Sequence, residues 1–167
     1  MKPTRLLIVD DHAVVRKGIQ MIISTEPSIE VVGETGTGQE AIHLAKSLHP
    51  DVILMDLMLP ECDGIQATAE IKRTTPDIKI IILTTFGDEA RVNAAMQAGA
   101  DGYLLKDADD GEMLLSAIQS VQQDHLPIHP QVTRYLLRTT AASPYVNGIK
   151  HLTEREKEVL QLMATGL

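Results

Sequence analysis

Cysteine, aromatic residues and long apolar runs are all scarce in this chain of 167 residues. Cys62 is the one cysteine, which excludes an internal disulfide and fits a reducing compartment. Four aromatic side chains are too few for a surface that stacks on nucleic-acid bases. No run approaches the roughly 18 apolar residues of a membrane helix, and the apolar stretch Leu6–Val9 is too short for a signal peptide. We therefore expect a cytoplasmic protein without a membrane partner.

Charge is divided unevenly along the chain. The net charge of −8 comes from an acidic first part, residues 1–124, with 10 Lys and Arg against 20 Asp and Glu. Residues 125–167 hold 5 basic and 3 acidic residues. This balance argues against nucleic-acid binding by the first part, and the second part is only weakly basic. The six histidines are scattered, and none is expected to join a cysteine or an acid at metal-ligand spacing.

Short apolar segments alternate five times with stretches that have the apolar spacing of helices. The continuous apolar run Val52–Met55 is typical of a strand buried on both faces of a parallel sheet. Because the connections are short, this alternation predicts an α/β fold, a doubly wound parallel sheet with helices on both faces. The predicted strands are Arg5–Val9, Ile29–Gly33, the run from Val52, Ile80–Thr84 and Gly102–Lys106. The predicted helices are His12–Ile23, Gly38–Leu48, one between Asp63 and Thr75, Asp88–Ala98 and Asp109–Gln123.

Polar side chains stand at the carboxyl ends of four of these strands. They are Asp10, Asp11, Asp56, Thr84 and Lys106. The carboxyl ends of parallel strands meet at one edge of a doubly wound sheet, which is where such folds bind ligands. Each residue alone has an ordinary structural explanation, such as an aspartate that caps a helix or a solvated lysine. Their coincidence at one edge favours a binding site instead.

Crowded carboxylates at that edge predict a bound cation, because they would otherwise raise one another's pKa. Mg²⁺ is the natural candidate, since it takes one or two carboxylates and leaves room for a phosphoryl group. Lys106 and Thr84 would then supply a positive charge and a hydroxyl to phosphoryl oxygens. An aspartate such as Asp56 is also a known type of nucleophile toward phosphorus.

Four sequence segments contain the polar strand-end residues: Ile8–His12, Leu54–Pro60 with Asp63-Gly64, Leu83-Thr84 and Gly102–Lys106. Together they resemble the receiver domain of two-component response regulators, over about residues 4–123. The resemblance implies a flavodoxin-like fold of five βα units with the strand order 2-1-3-4-5.

The resemblance also implies a role for each residue of the site. Asp56 would accept the phosphoryl group, and Lys106 would pair with the phosphoryl oxygens. Mg²⁺ would be bound by Asp11, by Asp56 and by the main-chain carbonyl of Met58, while Asp10 would contribute through water. Every one of these positions carries the residue type that the family uses.

Two further residues would form a switch in such a domain. The Thr84 hydroxyl would move onto the phosphoryl group, and Tyr103 would turn inward in concert. Ordinary packing against the fifth helix is the alternative explanation for Tyr103, and more so for Phe86. Cys62 lies beside the site between Glu61 and an aspartate, and acidic neighbours disfavour a thiolate, so we expect an unreactive thiol.

Residues 125–150 have the proline and glycine content of a linker. Within them, Gln131–Arg138 could form a short helix with Val132, Leu136 and Leu137 on its apolar side. We therefore expect three parts: a receiver domain at 1–124, a helical linker at 125–150 and a further segment at 151–167.

In the last segment, Thr153 and Glu156 form a capping box, and an apolar stripe follows over Val159–Met163. This segment resembles the opening helix of the helix-turn-helix domain of NarL/FixJ, or LuxR-type, regulators. His12 after the aspartate pair agrees with that subfamily. The chain ends at Leu167, before the recognition helix, so we expect a truncated domain that does not bind DNA specifically. We expect its apolar stripe to be frayed or packed against a neighbouring chain.

The resemblance implies a signalling protein rather than an enzyme, one that assists its own phosphorylation and dephosphorylation. A sensor histidine kinase and Mg²⁺ would phosphorylate Asp56, and the response would be homodimerisation and, in the full-length protein, DNA binding that regulates transcription. Dimerisation could use the first and fifth helices, or the fourth helix with the fifth strand. The alternatives are a stand-alone receiver or interaction module without DNA output, a flavodoxin-like cofactor binder and a metal-dependent phosphatase.

Overall fold

The computed structural model of the chain describes residues 1–85, 87–106 and 111–142. These residues form five strands and five helices in alternation, with a sixth helix at the end. The strands are β1 (Thr4–Val9), β2 (Ile29–Thr35), β3 (Val52–Met55), β4 (Lys79–Thr84) and β5 (Gly102–Leu105). The helices are α1 (Ala13–Ile23), α2 (Gly38–Leu48), α3 (Gly64–Thr74), α4 (Glu89–Gln97), α5 (Gly111–Gln122) and α6 (Pro130–Ala142).

The strands form one parallel sheet in the order β2-β1-β3-β4-β5. This arrangement confirms the predicted flavodoxin-like α/β fold. The observed strands and helices differ from the predicted ones mostly by one or two residues at their ends. Phe86, the predicted first residues of α5 at 109–110 and the predicted helix in 151–167 lie outside the described residues.

The central strand β3 is buried on both faces of the sheet because it is apolar at every position. All four residues of β3 are buried, as the uninterrupted run Val52–Met55 predicts. Alternate residues of β1 and β3 join two separate apolar clusters. One cluster contains the inward faces of α2, α3 and α4, and the other contains those of α1 and α5. The helices therefore flank the sheet on both sides and leave its carboxyl edge open between them.

The chain beyond α5 returns to the sheet at the outer edge of β5. The amide of Tyr103 donates to the carbonyl of Pro127 at 2.9 Å, and the amide of His129 donates to the carbonyl of Tyr103 at 2.8 Å. Ile128 thereby pairs with Tyr103 in parallel, and we call residues 126–129 the β5 strap. A side chain at Gly102 would collide with Pro127, because its Cβ would lie 2.9 Å from the proline carbonyl oxygen. Glycine at this position permits the close approach of the strap.

The helix predicted at residues 131–138 is present and is longer, extending over α6. Val132 is fully buried in the same cluster as Tyr103, and Leu136 packs against that cluster. Leu137, predicted for the same apolar side, is 49% exposed. The structure therefore adds a contact that the proline-rich composition does not reveal, since α6 lies against α4.

Among the described residues, no helix has both the length and the apolar character needed to cross a membrane.

Candidate functional site

The carboxyl edge of the sheet brings an acidic cluster together. One side-chain ligand atom from each of Asp10, Asp11, His12 and Asp56 lies within 4.8 Å of the others. Main-chain hydrogen bonds extend the sheet to this edge: the Asp56 amide donates to Val9 at 2.9 Å, and the Asp10 amide donates to a β2 carbonyl at 3.0 Å. The pairing of parallel strands thus fixes the backbone that carries the two buried acids.

Lys106 reaches into this cluster from the end of β5. Its Nζ atom donates to the Oδ2 atom of Asp56 at 2.9 Å and also contacts the Oδ2 atom of Asp10. Burial disfavours the charged form of Lys106, but the hydrogen bonds and charges of Asp10 and Asp56 outweigh burial and raise the pKa of the ammonium. Lys106 is therefore held as a cation against the carboxylate of Asp56.

The charge of the cluster suits a divalent cation. Asp10 and Asp56 are 2% and 3% exposed, so their carboxylates are largely removed from water. The carboxylates of Asp10, Asp11 and Asp56 against the ammonium of Lys106 leave a formal charge of −2. Hard carboxylate oxygens are the donors that Mg²⁺ prefers, so the residues present fit that ion.

The loop from β3 to α3 passes close over Asp56. The Met58 amide lies 3.4 Å from the Oδ1 atom of Asp56, and Glu61 has a positive φ of 67°. A side chain at Gly64 would lie 2.0 Å from the carbonyl oxygen of Asp56, so the start of α3 approaches β3 as only glycine allows. Asp63 caps α3 through a 2.8 Å bond to an amide, which ends the loop. This local geometry explains why the segment after Asp56 carries an Asp-Gly pair.

Thr84 and Tyr103 are both fully buried near this edge of the sheet. Thr84 ends β4, and its carbonyl accepts from the Lys106 amide at 2.9 Å. Burial first, and then the negative charge of Asp88, raises the pKa of Tyr103 to about 12. The phenol therefore stays neutral inside the protein at any physiological pH.

His12 and Arg16 also belong to this region, although the sequence analysis does not predict them as residues of the site. The expectation that no histidine would lie with an acid at metal-ligand spacing is wrong for His12, whose Nδ1 atom is 2.8 Å from an Asp11 oxygen. Its position directly after the aspartate pair was the available signal. Arg16 donates to the Asp10 carbonyl at 2.7 Å, and only the fold reveals that contact.

Cys62 is half-buried in the β3–α3 loop. Burial and, to a smaller extent, Asp63 raise the pKa of its thiol. Both effects favour the protonated thiol, in the direction expected from its acidic neighbours.

Comparison with known proteins agrees with the fold and the acidic cluster. Residues 6–119 match the family described as the response regulator receiver domain. The response regulator protein VraR of Staphylococcus aureus is 39% identical over 162 residues, which cover 97% of this chain and 76% of VraR. The crystal structure of a two-component response regulator of the LuxR family from Aurantimonas sp. SI85-9A1 is 31% identical, with a TM-score of 0.77, and the match covers 84% of this chain and 99% of that one.

A structure of the RcsB response regulator of Salmonella typhimurium, described in terms of conformational dynamism for DNA interaction, is also similar. It is 30% identical with a TM-score of 0.75, over all of this chain and 80% of that one. The doubly wound sheet, with its strand order β2-β1-β3-β4-β5, matches the fold of these solved structures. The chain therefore belongs to the response regulator family, and within it to the NarL/FixJ type.

Proposed function

We propose that this protein is a phosphorylation-activated response regulator that receives a phosphoryl group on Asp56 from a sensor histidine kinase. The observation that carries the proposal is the 2.9 Å contact between the Lys106 ammonium and the Asp56 carboxylate inside the acidic cluster. A buried carboxylate that is held by one cation, among other carboxylates, is oriented as a nucleophile and needs further positive charge.

The transfer needs few groups from the protein. A carboxylate oxygen of Asp56 attacks the phosphorus of the kinase phosphohistidine, and the new O–P bond forms as the P–N bond breaks. The imidazole leaves with the electron pair and takes up a proton. Lys106 lies where its ammonium can stabilise negative charge on the phosphoryl oxygens. Lys106 also contacts Asp10, so release from one carboxylate leaves it paired with the other.

Asp11, Asp56 and the main-chain carbonyl of Met58 would hold Mg²⁺, with Asp10 contributing through water. When bound, the ion supplies the positive charge that offsets the formal −2 of the cluster. His12 lies close enough to Asp11 to orient that carboxylate through its Nδ1 atom. Such contacts around a ligand side chain tune metal affinity in other proteins.

Thr84 and Tyr103 would form the switch. The acyl phosphate on Asp56 attracts the Thr84 hydroxyl, which shifts the end of β4 toward the site. Tyr103 lies on the neighbouring strand, where Ile82 of β4 pairs with it. A shift of β4 therefore acts directly on β5, which carries Tyr103 and ends just before Lys106.

Homodimerisation is the first output that we propose, through α1 and α5. The other face that we considered, α4 with β5, is already packed by α6 and the β5 strap. Between α1 and α5 lies an apolar groove of about 430 Å³, lined by Val14, Ile22, Met113 and other described residues. Val14 is 84% exposed at its rim, so the groove offers apolar surface to a second copy of the chain.

DNA binding is the second output, and it is proposed for the full-length protein. The segment 151–167 would begin a helix-turn-helix domain, with residues 125–150 as the linker from the receiver domain at 1–124. The LuxR-family relative and the RcsB structure support this assignment.

The test is phosphoryl incorporation from a small acyl-phosphate donor with Mg²⁺, followed by intact mass. Asp56→Asn should abolish the added phosphoryl mass and leave the circular dichroism spectrum unchanged. Asp51→Asn is the matched control, because Asp51 precedes the same strand at its other end, where it accepts from the Arg5 amide at 2.8 Å. Incorporation into Asp56→Asn at the wild-type level would refute the assignment.

A further inference from the structure

Arg16 joins helix α1 to the loop that carries the acidic pair. Its Nη1 atom donates to the main-chain carbonyl of Asp10 at 2.7 Å, and its side chain is only 19% exposed. A guanidinium that is fixed in this way costs side-chain entropy and desolvation, so its contacts must compensate for both. The contact to the Asp10 carbonyl is the one that points toward the site.

Glu34 holds the other side of the guanidinium. The Oε2 atom of Glu34 is 3.5 Å from the Arg16 Nε atom, and it accepts a hydrogen bond from the Gln20 side chain at 2.7 Å. The Nε atom is buried and makes no hydrogen bond within the described residues, so its contact with Glu34 is electrostatic rather than directional. Glu34 thus compensates the buried charge and leaves Nη1 directed at Asp10.

Three hydrogen bonds hold Asp10 in place. Its amide donates to the carbonyl of Thr35, and its Oδ1 atom accepts from the His12 amide at 2.8 Å. Arg16 adds the third contact by holding the Asp10 carbonyl, which belongs to the peptide group between Asp10 and Asp11. That peptide group sets the direction in which the Asp11 side chain leaves the backbone. Arg16 therefore acts on the orientation of the Asp11 carboxylate without contacting it.

We propose that Arg16 is a positioning residue for the divalent-cation site, acting on Asp11 through the peptide group that joins it to Asp10. The proposal rests on the function proposed above, in which Asp11 is a ligand of Mg²⁺. Loss of the guanidinium lets this peptide group rotate, so the two carboxylates no longer face Asp56 together. The consequence is weaker cation binding in the unphosphorylated protein.

The test measures Mn²⁺ binding by electron paramagnetic resonance, with Mg²⁺ as the competitor, and so needs no phosphorylation. Arg16→Ala should raise the dissociation constant about tenfold, as loss of a contact around a metal ligand typically does. Arg16→Lys should recover part of the affinity, because an ammonium can still donate to the carbonyl. Arg5→Ala is the matched control: its guanidinium also donates to a main-chain carbonyl, that of His49 at 2.9 Å, but at the opposite end of β1.

The outcomes separate the two proposals. Asp11→Asn should abolish cation binding, and if it does not, the metal site itself is wrong and the role of Arg16 falls with it. If Asp11→Asn abolishes binding but Arg16→Ala weakens it no more than Arg5→Ala does, Arg16 serves stability alone. Urea unfolding of each variant measures that stability, so an affinity loss explained by partial unfolding would also overturn the proposal.

Discussion

Tyr103 is fully buried although its side chain ends in a hydroxyl. Burial, followed by the charge of Asp88, raises the pKa of this phenol to about 12. Between the ordinary pKa near 10 and this value, the folded protein keeps a proton that the unfolded chain releases. The contribution of Tyr103 to folding stability is therefore complete below pH 10 and is lost as the pH rises toward 12.

Tyr103→Phe should remove this pH dependence. Because one pKa unit corresponds to about 1.4 kcal/mol, the free energy of unfolding of the wild type should fall by up to that amount per pH unit relative to the variant. Urea unfolding of both proteins at several pH values from about 9 to 11 measures the difference. Lys106 and the other lysines are common to both proteins and cancel. A difference that stays constant over this range would contradict the burial of the phenol.

The strand-end residues could be predicted from the sequence because the parallel sheet leaves little freedom. An apolar run that ends in Asp56 can only place this side chain at the carboxyl edge, and the same holds for Thr84 and Lys106. Arg16 could not be predicted in this way, since helical spacing gives its face of α1 but not a main-chain partner. The contact between His12 and Asp11 likewise depends on the turn before α1, which spacing does not define.

At the scale of whole elements, composition says least about how α6 and the β5 strap pack. Prolines and glycine indicated a linker, and the helix within it was predicted, but not its partners. Val132 packs in the cluster that contains Tyr103, a residue distant in sequence. The two hydrogen bonds to the Tyr103 backbone extend the sheet beyond β5. Part of the segment expected to be a linker therefore packs against the receiver domain.

Truncation of Val132 should destabilise the domain if α6 is an integral part of it. Val132→Ala removes two methyl groups from a fully buried position, so we expect a loss of about 1–3 kcal/mol in the free energy of unfolding. Leu137→Ala, on the exposed side of the same helix, is the control and should change it by less than about 0.5 kcal/mol. Urea unfolding followed by circular dichroism gives both values. Equal, negligible losses would mean that α6 does not dock in solution.

Across the whole molecule, the acidic cluster and the apolar groove between α1 and α5 are neighbouring features. The acidic cluster is held at the carboxyl edge, between helices that belong to the two separate apolar clusters. Lys106 belongs to both features, since its ammonium contacts Asp56 and the residue also lines the groove between α1 and α5. A change in the charge of Asp56 would therefore act on that groove through Lys106. The face formed by α4 and β5 is covered by α6 and the β5 strap instead, which limits the surface open to a second copy.

Dimerisation on activation should consequently depend on α1 and not on α6. Beryllofluoride with Mg²⁺, which mimics a phosphoryl group on aspartate, should double the mass of the wild-type protein in light scattering. Val14→Asp adds a charge at the rim of the groove and should prevent the doubling, while phosphoryl incorporation into the same sample stays intact. Leu137→Asp makes the same kind of change on α6, where Leu137 is 49% exposed, and should leave the doubling unaffected. Doubling in both variants would reject the α1–α5 face. A wild type that binds beryllofluoride but stays monomeric would leave the proposed helix-turn-helix domain as the output.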